Sequence, residues 1–355
     1  MKETNNILVL NLGSTSTKVA VYQNKTCLVE EDLHMDRDEL AKCADIFDQY
    51  NLRSDTVKKF LERNGKTLQE MDWIVARGTA GSEKLEAGCY LIDEKVLEAN
   101  RKWNVRHVAK LGPEVAYRMG QEVGIPAYLY DSDSLDEACD FARLSGLKEF
   151  PCKPSNHPLN TRAVARKAAE DMGGKYEDYT FIIAHLGGGL TVGLHEHGKI
   201  VDANSEAFTA ERSGSMPMSS TMDFVNACYN QRFSKIEMIK MIMGNGGLYS
   251  YTGVSNLKEA MERVHAGDEE MEFYVKGMAY HIAKDIAGLA APACGKIDRI
   301  ILTGGMAYCS ELCQWISDRV SFIAPVEIYA GAMEMEALAL GSLRAVSGEE
   351  PIKTL

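Results

Sequence analysis

Positive charge is scarce in this 355-residue chain: 39 Lys and Arg stand against 51 Asp and Glu, a formal net charge of −12. No basic cluster interrupts that excess, which argues against a nucleic-acid partner. An anionic small molecule must then be met by a few local Lys, Arg or metal charges. Long apolar runs are missing too. None approaches a membrane span, and Met1-Lys2-Glu3-Thr4-Asn5-Asn6 enters a short strand with no apolar segment and cleavage site. No membrane partner and no signal peptide are expected, and the expected location is the cytoplasm. No low-complexity segment or long linker divides the chain. The nine cysteines are scattered and odd in number, so they read as reduced thiols filling small apolar sites. Cys309 and Cys313 are four apart, but no further Cys or His follows to complete a zinc site. His195 and His197 share one face of an exposed turn and read as surface histidines.

What is present is one polar hairpin written twice. Ile7 to Leu10 reads as an apolar strand running into Asn11-Leu12-Gly13-Ser14-Thr15-Ser16-Thr17-Lys18, after which alternation resumes from Val19 to Tyr22. Asn24 turns the chain into a third strand, Thr26 to Val29. Halfway along, Phe181 to Ala184 enters His185-Leu186-Gly187-Gly188-Gly189, Leu190 to Leu194 alternates, and His197-Gly198 turns into Lys199 to Val201. Glycine lets backbone N–H groups approach an anion closely, and hydroxyls add movable donors. Lys18 adds a charge at the first loop. A Walker A loop and a dinucleotide fingerprint both need a helix next, and here the chain continues as strand. The alternative for each loop is an ordinary hairpin with a polar turn.

At this length two domains are expected, divided as 1–150 and 151–355 across the proline-containing stretch Leu147 to Leu159, with the last helix packing back on the first domain. Helices are expected over Thr56 to Asn64 (Val57, Phe60 and Leu61 on one stripe), Glu94 to Trp103, Val105 to Met119, Asn160 to Met172, Glu269 to Ala291, Cys309 to Arg319 and Met335 to Ala345. Strands are also expected at 73–77, over Ile125 to Tyr130 (ending in Asp131-Ser132-Asp133), over Ile297 to Leu302 (feeding Thr303-Gly304-Gly305) and over Val326 to Tyr329.

Read together, these motifs resemble the butyrate kinase family, in the acetokinase branch of the group that includes acetate and sugar kinases, heat-shock ATPases and actin. The resemblance covers nearly the whole chain. It rests on the first loop, on Ala184 to Gly189, on Glu211-Arg212-Ser213-Gly214, on Leu302 to Gly305, and on Met333-Glu334-Met335-Glu336-Ala337-Leu338. It implies an α/β fold of duplicated ribonuclease H-like (actin-like ATPase) domains, with mixed central sheets flanked by helices and a cleft that closes on its substrates. The implied reaction is reversible phosphorylation of a short-chain fatty acid by ATP, giving an acyl phosphate and ADP with Mg²⁺. Butyrate or a branched analogue is preferred; propionate or another short acid is the alternative. The alternative of another class is a non-catalytic actin-like nucleotide-binding protein. A homodimer or larger homo-oligomer is implied as well.

By resemblance, Asn11, Gly13, Ser14, Ser16 and Lys18 form the first phosphate loop, Gly187, Gly188 and Gly189 the second, and Gly304 and Gly305 the adenosine-side loop. Arg77, His107, Asp131, His185 and Arg212 match substrate and transition-state positions, and Glu336 with Asn11 orients Mg²⁺. In-line phosphoryl transfer spreads charge over three equatorial oxygens, so cationic positioning does most of the work. Planar Arg forks suit a carboxylate or phosphoryl group. Bland readings stand beside these: surface salt bridges for Arg77 and Arg212, strand-end packing for His185, a core histidine for His107, an N-cap of a 134–144 helix for Asp131, and a helix-dipole partner for Glu336. Asp131 is also placed to orient an arginine or touch the acid. Three departures from the family stand out: Leu12 in place of proline, Arg77-Gly78-Thr79 in place of Arg-Gly-Gly, and Gly331-Ala332-Met333-Glu334 in place of Gly-Glu-Asp-Glu. The second implies a changed acid pocket, the third fewer acidic groups near the phosphates.

Overall fold

Alternate residues of the first strand face opposite ways, and both ways are apolar. In β1 (Asn6–Leu12), Leu8 and Leu10 enter one core while Ile7 and Val9 enter another, all four fully buried. A strand buried on both faces belongs inside a sheet covered on both sides. The structure, a computed structural model, describes residues 3–81, 84–103, 107–145, 148–152, 154, 156–204, 221–230, 232–243 and 245–355.

After β1 come β2 (Ser16–Gln23), β3 (Thr26–His34), β4 (Trp73–Ala76), β5 (Cys89–Leu91) and β6 (Ala127–Tyr130). They are followed by β7 (Thr180–His185), β8 (Thr191–Glu196), β9 (Lys199–Asn204), β10 (Arg299–Gly304), β11 (Val326–Ala330) and β12 (Ile352–Lys353). The chain divides into two units. Unit 1 is Met1–Asp136 with Pro158–Ala163 and Met333–Leu355; unit 2 is Glu137–His157 with Val164–Ala332. The break falls after Asp136 rather than at 150/151, and the last helix is part of unit 1.

Unit 1 carries a seven-stranded sheet in the order β12-β5-β6-β4-β1-β2-β3. The helices Tyr50–Arg63 and Leu111–Val123 cover one face through Val57, Phe60, Leu61, Leu111, Val115 and Met119. The helix Glu334–Ser347 covers the other through Met335, Leu338 and Ala339. Unit 2 carries a five-stranded sheet, β11-β10-β7-β8-β9, with one face packed on the helices Glu269–Ala290 and Ser310–Val320. Its pairing, β7 antiparallel to β8, β8 antiparallel to β9, and β7 parallel to β10 and β10 to β11, matches β1-β2-β3 and β1-β4-β6 of unit 1 strand for strand. The α/β class with mixed, helix-flanked sheets is therefore present in both units.

Three expected helices differ: the one expected from Thr56 already begins at Tyr50. The one expected from Val105 begins at Leu111, after a single 3-10 turn over Val108–Lys110 that His107 caps. Pro113 fits that late start, since a first-turn proline has no intrahelical N–H to lose. Over 134–144 there is no α-helix, only a 3-10 turn at Phe141–Arg143. No helix of the described residues is long and apolar enough to cross a membrane.

Candidate active site

In unit 1 the first loop is built where β1 hands over to β2. Leu12 pairs with Thr17 and Asn11 with Lys18, and the amide of Gly13 donates to the carbonyl of Ser16 at 2.9 Å. Ser14 and Thr15 are exposed at the tip, and their amides donate to no carbonyl among the described residues. Asn11 and Lys18, directly opposite across the pair, share one face. Lys18 is held by Glu30 at 3.1 Å.

The carboxylate that reaches Asn11 is Glu334, not Glu336. The amide nitrogen of Asn11 donates to Glu334 Oε2 at 2.6 Å. Helix geometry explains the correction: residues two apart on a helix face nearly opposite ways. Glu336 is exposed, within electrostatic reach of Tyr22 and Cys27. Glu334 opens its helix because the Met333 amide is held by the side chain of Asn160, fully buried, at 2.7 Å. The segment, with fewer acidic residues than the family pattern, thus still presents one carboxylate at the loop. Among the described residues no three His, Cys, Asp or Glu side chains converge as a metal cluster. Asn11 and Glu334 do offer hard oxygens of the kind Mg²⁺ takes, one or two from protein and the rest from water and substrate phosphates.

Arg77 follows β4, and its Nε donates to Asp133 Oδ1 at 3.2 Å. Among the described residues its two terminal nitrogens have no protein acceptor. Asp133 holds the guanidinium above its usual range, with Glu334 adding to the effect. Burial raises the Asp133 carboxyl; Arg77 and His107 oppose that rise, and Glu334 reinforces it. Asp133 and Glu334 thus act on Arg77, and Arg77, His107 and Glu334 on Asp133. His107 is exposed, so it is no core histidine, and its Nδ1 accepts from the Ala109 amide at 3.2 Å. Gly78 is required here: a Cβ would lie 2.4 Å from Pro113 Cδ and 2.7 Å from the Ala109 carbonyl. Thr79, where the family resemblance places a second glycine, is 2 % exposed. Its hydroxyl contacts Ser134 and donates to the Gly81 carbonyl at 3.2 Å. That departure is taken up inside the loop rather than beside Arg77.

Asp131 caps no helix. It is buried at the end of β6 with φ of 40°, accepting from the Gly88 amide at 2.8 Å and from Arg162 Nε at 3.2 Å. Asp131 does orient an arginine, but that arginine is the equally buried Arg162.

In unit 2 the second loop follows β7. His185 is buried at the strand end, paired with Thr191 on one side and Thr303 on the other. His157 stacks on its ring, centroids 4.2 Å apart and planes 13° off parallel. Nδ1 of His157 shares a hydrogen with Thr191 Oγ1 at 2.9 Å, and the Thr191 hydroxyl meets Asn156 Oδ1 at 3.2 Å. A Cβ on Gly187 would come within 2.9 Å of His185 Nε2, and one on Gly189 within 3.4 Å of His157. Gly188 lies between them. The glycines thus leave room for the ring pair. Gly304, at φ 93°, exchanges backbone hydrogen bonds with Gly331, and Met306 donates to the Leu186 carbonyl at 2.9 Å, so the loop ending at Gly304 and Gly305 braces the second loop directly. Arg212 lies outside the described residues.

Sequence reasoning missed Arg53, Asp133, His157, Arg162 and Glu334. For Arg53 a signal existed: it stands four residues before Val57, on the apolar stripe of its helix.

The chain was compared with known proteins. Residues 155–331 match the Acetokinase family. Over 98% of both chains it is 39% identical to butyrate kinase 2 of Clostridium acetobutylicum and 37% identical to a probable butyrate kinase of Clostridium botulinum. Among solved structures it superposes on an acetate kinase from Porphyromonas gingivalis (TM-score 0.76, 16% identity, 95% of this chain and 99% of that one). It also superposes on a propionate kinase from Francisella tularensis (TM-score 0.74, 17% identity, with the same coverage). At these identities the structures speak for the fold.

Proposed function

Because the chain belongs to the acetokinase family, we propose that it transfers a phosphoryl group reversibly between ATP and the carboxylate of a short-chain fatty acid, butyrate or a branched analogue foremost. The observation that carries this reading is Arg77. Asp133 fixes its Nε and leaves the terminal fork to accept an anion, within electrostatic reach of Glu334, which binds Asn11. A nucleotide-binding protein without an acid substrate has no need of that fork.

In the reaction a carboxylate oxygen of the acid attacks the γ-phosphorus in line. The bond from that phosphorus to the β,γ-bridging oxygen breaks, and ADP leaves with the electron pair. The acid is already ionised near pH 7, so no protein base is required. Arg77 holds the acid or the moving phosphoryl group bidentately. The amides and hydroxyls of Ser14, Thr15 and Ser16, with Lys18, hold phosphate oxygens in unit 1. His185, steadied by His157, donates to an equatorial oxygen, and the Gly187–Gly189 backbone takes further phosphate oxygens in unit 2. Gly304 and Gly305 serve the adenosine side, and Arg212 completes the cationic set. Asn11 and Glu334 would hold Mg²⁺, which supplies charge neutralisation at the phosphates. Each buried methylene of the acyl tail is worth only about 0.8 kcal/mol, so neighbouring acids differ modestly.

Trapping acyl phosphate with hydroxylamine across two- to six-carbon acids, with ATP and Mg²⁺, tests the reading. Hydroxamate is expected, with butyrate or a branched acid giving the highest kcat/KM. Arg77→Ala is expected to lower that rate by about 10²–10³ while nucleotide affinity stays within about twofold. No hydroxamate with any acid would return the protein to the non-catalytic class.

A further inference from the structure

Arg53, in the helix Tyr50–Arg63, is the largest fully buried side chain of the described residues, and it is charged. It lies under the first loop. Nη1 donates to the Ser16 carbonyl at 2.5 Å and to Thr17 Oγ1 at 2.8 Å. Nη2 donates to the Gly13 carbonyl at 3.0 Å and to Gln49 Oε1 at 3.1 Å, with the Ser14 carbonyl at 3.4 Å. Nε donates to the same Gln49 oxygen at 3.3 Å. All five N–H donors of the fork are used, and every acceptor is neutral. Among the described residues no carboxylate pairs with it. Burial lowers its pKa only to about 10, so it stays protonated at neutral pH.

A buried charge without a counter-charge is costly, and a neutral side chain of similar length would fill the space more cheaply. What the charge accomplishes is visible in its partners. Three carbonyls of one tight loop, those of Gly13, Ser14 and Ser16, are drawn toward it. The Ser14 and Thr15 amides at the exposed tip are left without carbonyl partners among the described residues. Arg53 thus sets a positive charge with no carboxylate of its own beneath the tip, where an anion held by the outward donors would answer it.

We propose that Arg53 is a positioning residue for the phosphates of the nucleotide: it fixes the first loop with its donors outward and supplies the buried charge that draws the anion there. This rests on the kinase reading above. Arg53 touches no substrate, and its effect falls on the nucleotide rather than on the acid.

The test measures ADP affinity by calorimetry, and KM for ATP and for the acid, in the full chain and in Arg53→Gln and Arg53→Lys. Arg53→Gln is expected to weaken ADP at least about tenfold, the worth of one charge-assisted contact, with the acid KM within about twofold. Arg53→Lys keeps the charge without the fork and should fall between. If Arg53→Gln does not fold, Thr17→Val removes one acceptor only, and it should raise the ATP KM about two- to fivefold with no change for the acid. An Arg53→Gln chain that folds and binds ADP as the parent does overturns the inference alone, as does an unchanged ATP KM in Thr17→Val. Equal shifts in both KM values would make Arg53 a purely structural residue. A parent chain that binds no ADP overturns the kinase reading and this inference with it.

Discussion

The same five-strand arrangement carries a loop in each unit, and the two loops are supported by opposite means. In unit 1 the support is by hydrogen bonds to charged side chains: Arg53 gathers the loop carbonyls from beneath, while Glu334 takes Asn11 on the other face. In unit 2 it is steric and aromatic: the ring pair of His157 and His185 sits among glycines, and the backbone around Gly304 is pressed against Leu186. Matching topology therefore says where each loop forms, not how it is held. A loop held by a buried charge tolerates new side chains at its rim. One held by backbone contact does not.

Glycine-to-alanine exchange sharpens that contrast most. Gly304→Ala asks for a left-handed φ and puts a Cβ 2.4 Å from the Leu186 carbonyl oxygen and 2.8 Å from the Leu186 nitrogen, all immobile backbone. A loss of about 3–5 kcal/mol in denaturant unfolding is expected. Gly13→Ala comes nearest the end of the Ser16 side chain, at 3.3 Å, with the Ser16 backbone no closer than 3.6 Å and without a left-handed φ. Its cost is expected below about 1 kcal/mol. Equal costs at the two positions would end the comparison.

Parts of this were legible in the sequence. The strands and both loops announce themselves through alternation and through glycine and hydroxyl residues, because those signals are local. The ion pairs are not local. Asp131 and Asp133 stand two apart, yet one takes Arg162 and the other Arg77, a choice made by tertiary distance alone. Whether Glu334 or Glu336 faces Asn11 depends on where the last helix begins, and Asn160 sets that start from elsewhere in the chain. Arg53 was readable in principle, since its position on an apolar stripe is a matter of spacing. A charge there ordinarily marks the stripe's edge, and only the burial shows otherwise. His157 sits in a stretch whose prolines read as a connection, and its stacking partner lies in the next strand.

That ring pair gives the second contrast. His157→Phe keeps a ring over His185 but removes the nitrogen bonded to Thr191. The unfolding midpoint should stay within a few degrees while, on the proposed kinase reading, kcat falls up to about 10²-fold, the scale of losing the His185 donor that His157 steadies. A parent-like kcat would reduce the stack to packing.

The smallest effect concerns charge in unit 2. Asp285, on the Glu269–Ala290 helix, accepts from Asn204 at the end of β9 at 3.4 Å. Burial pushes its carboxyl up to about 6, with Lys284 opposing the rise. The native chain thus holds a proton between about pH 4 and 6 that the unfolded chain has released, and stability falls across that window as pH rises. Unlike Arg53, this half-buried charge serves no loop, so removing it should help. Asp285→Asn keeps an acceptor for Asn204 and cannot ionise. Its gain should be absent at pH 4, grow through pH 6 and level off above it, at about 1 kcal/mol once partial exposure is allowed for. Urea unfolding at pH 4 and at pH 7.5 measures both ends. A gain that is already complete at pH 4 would assign the effect to packing and leave Asp285 an ordinary exposed carboxylate.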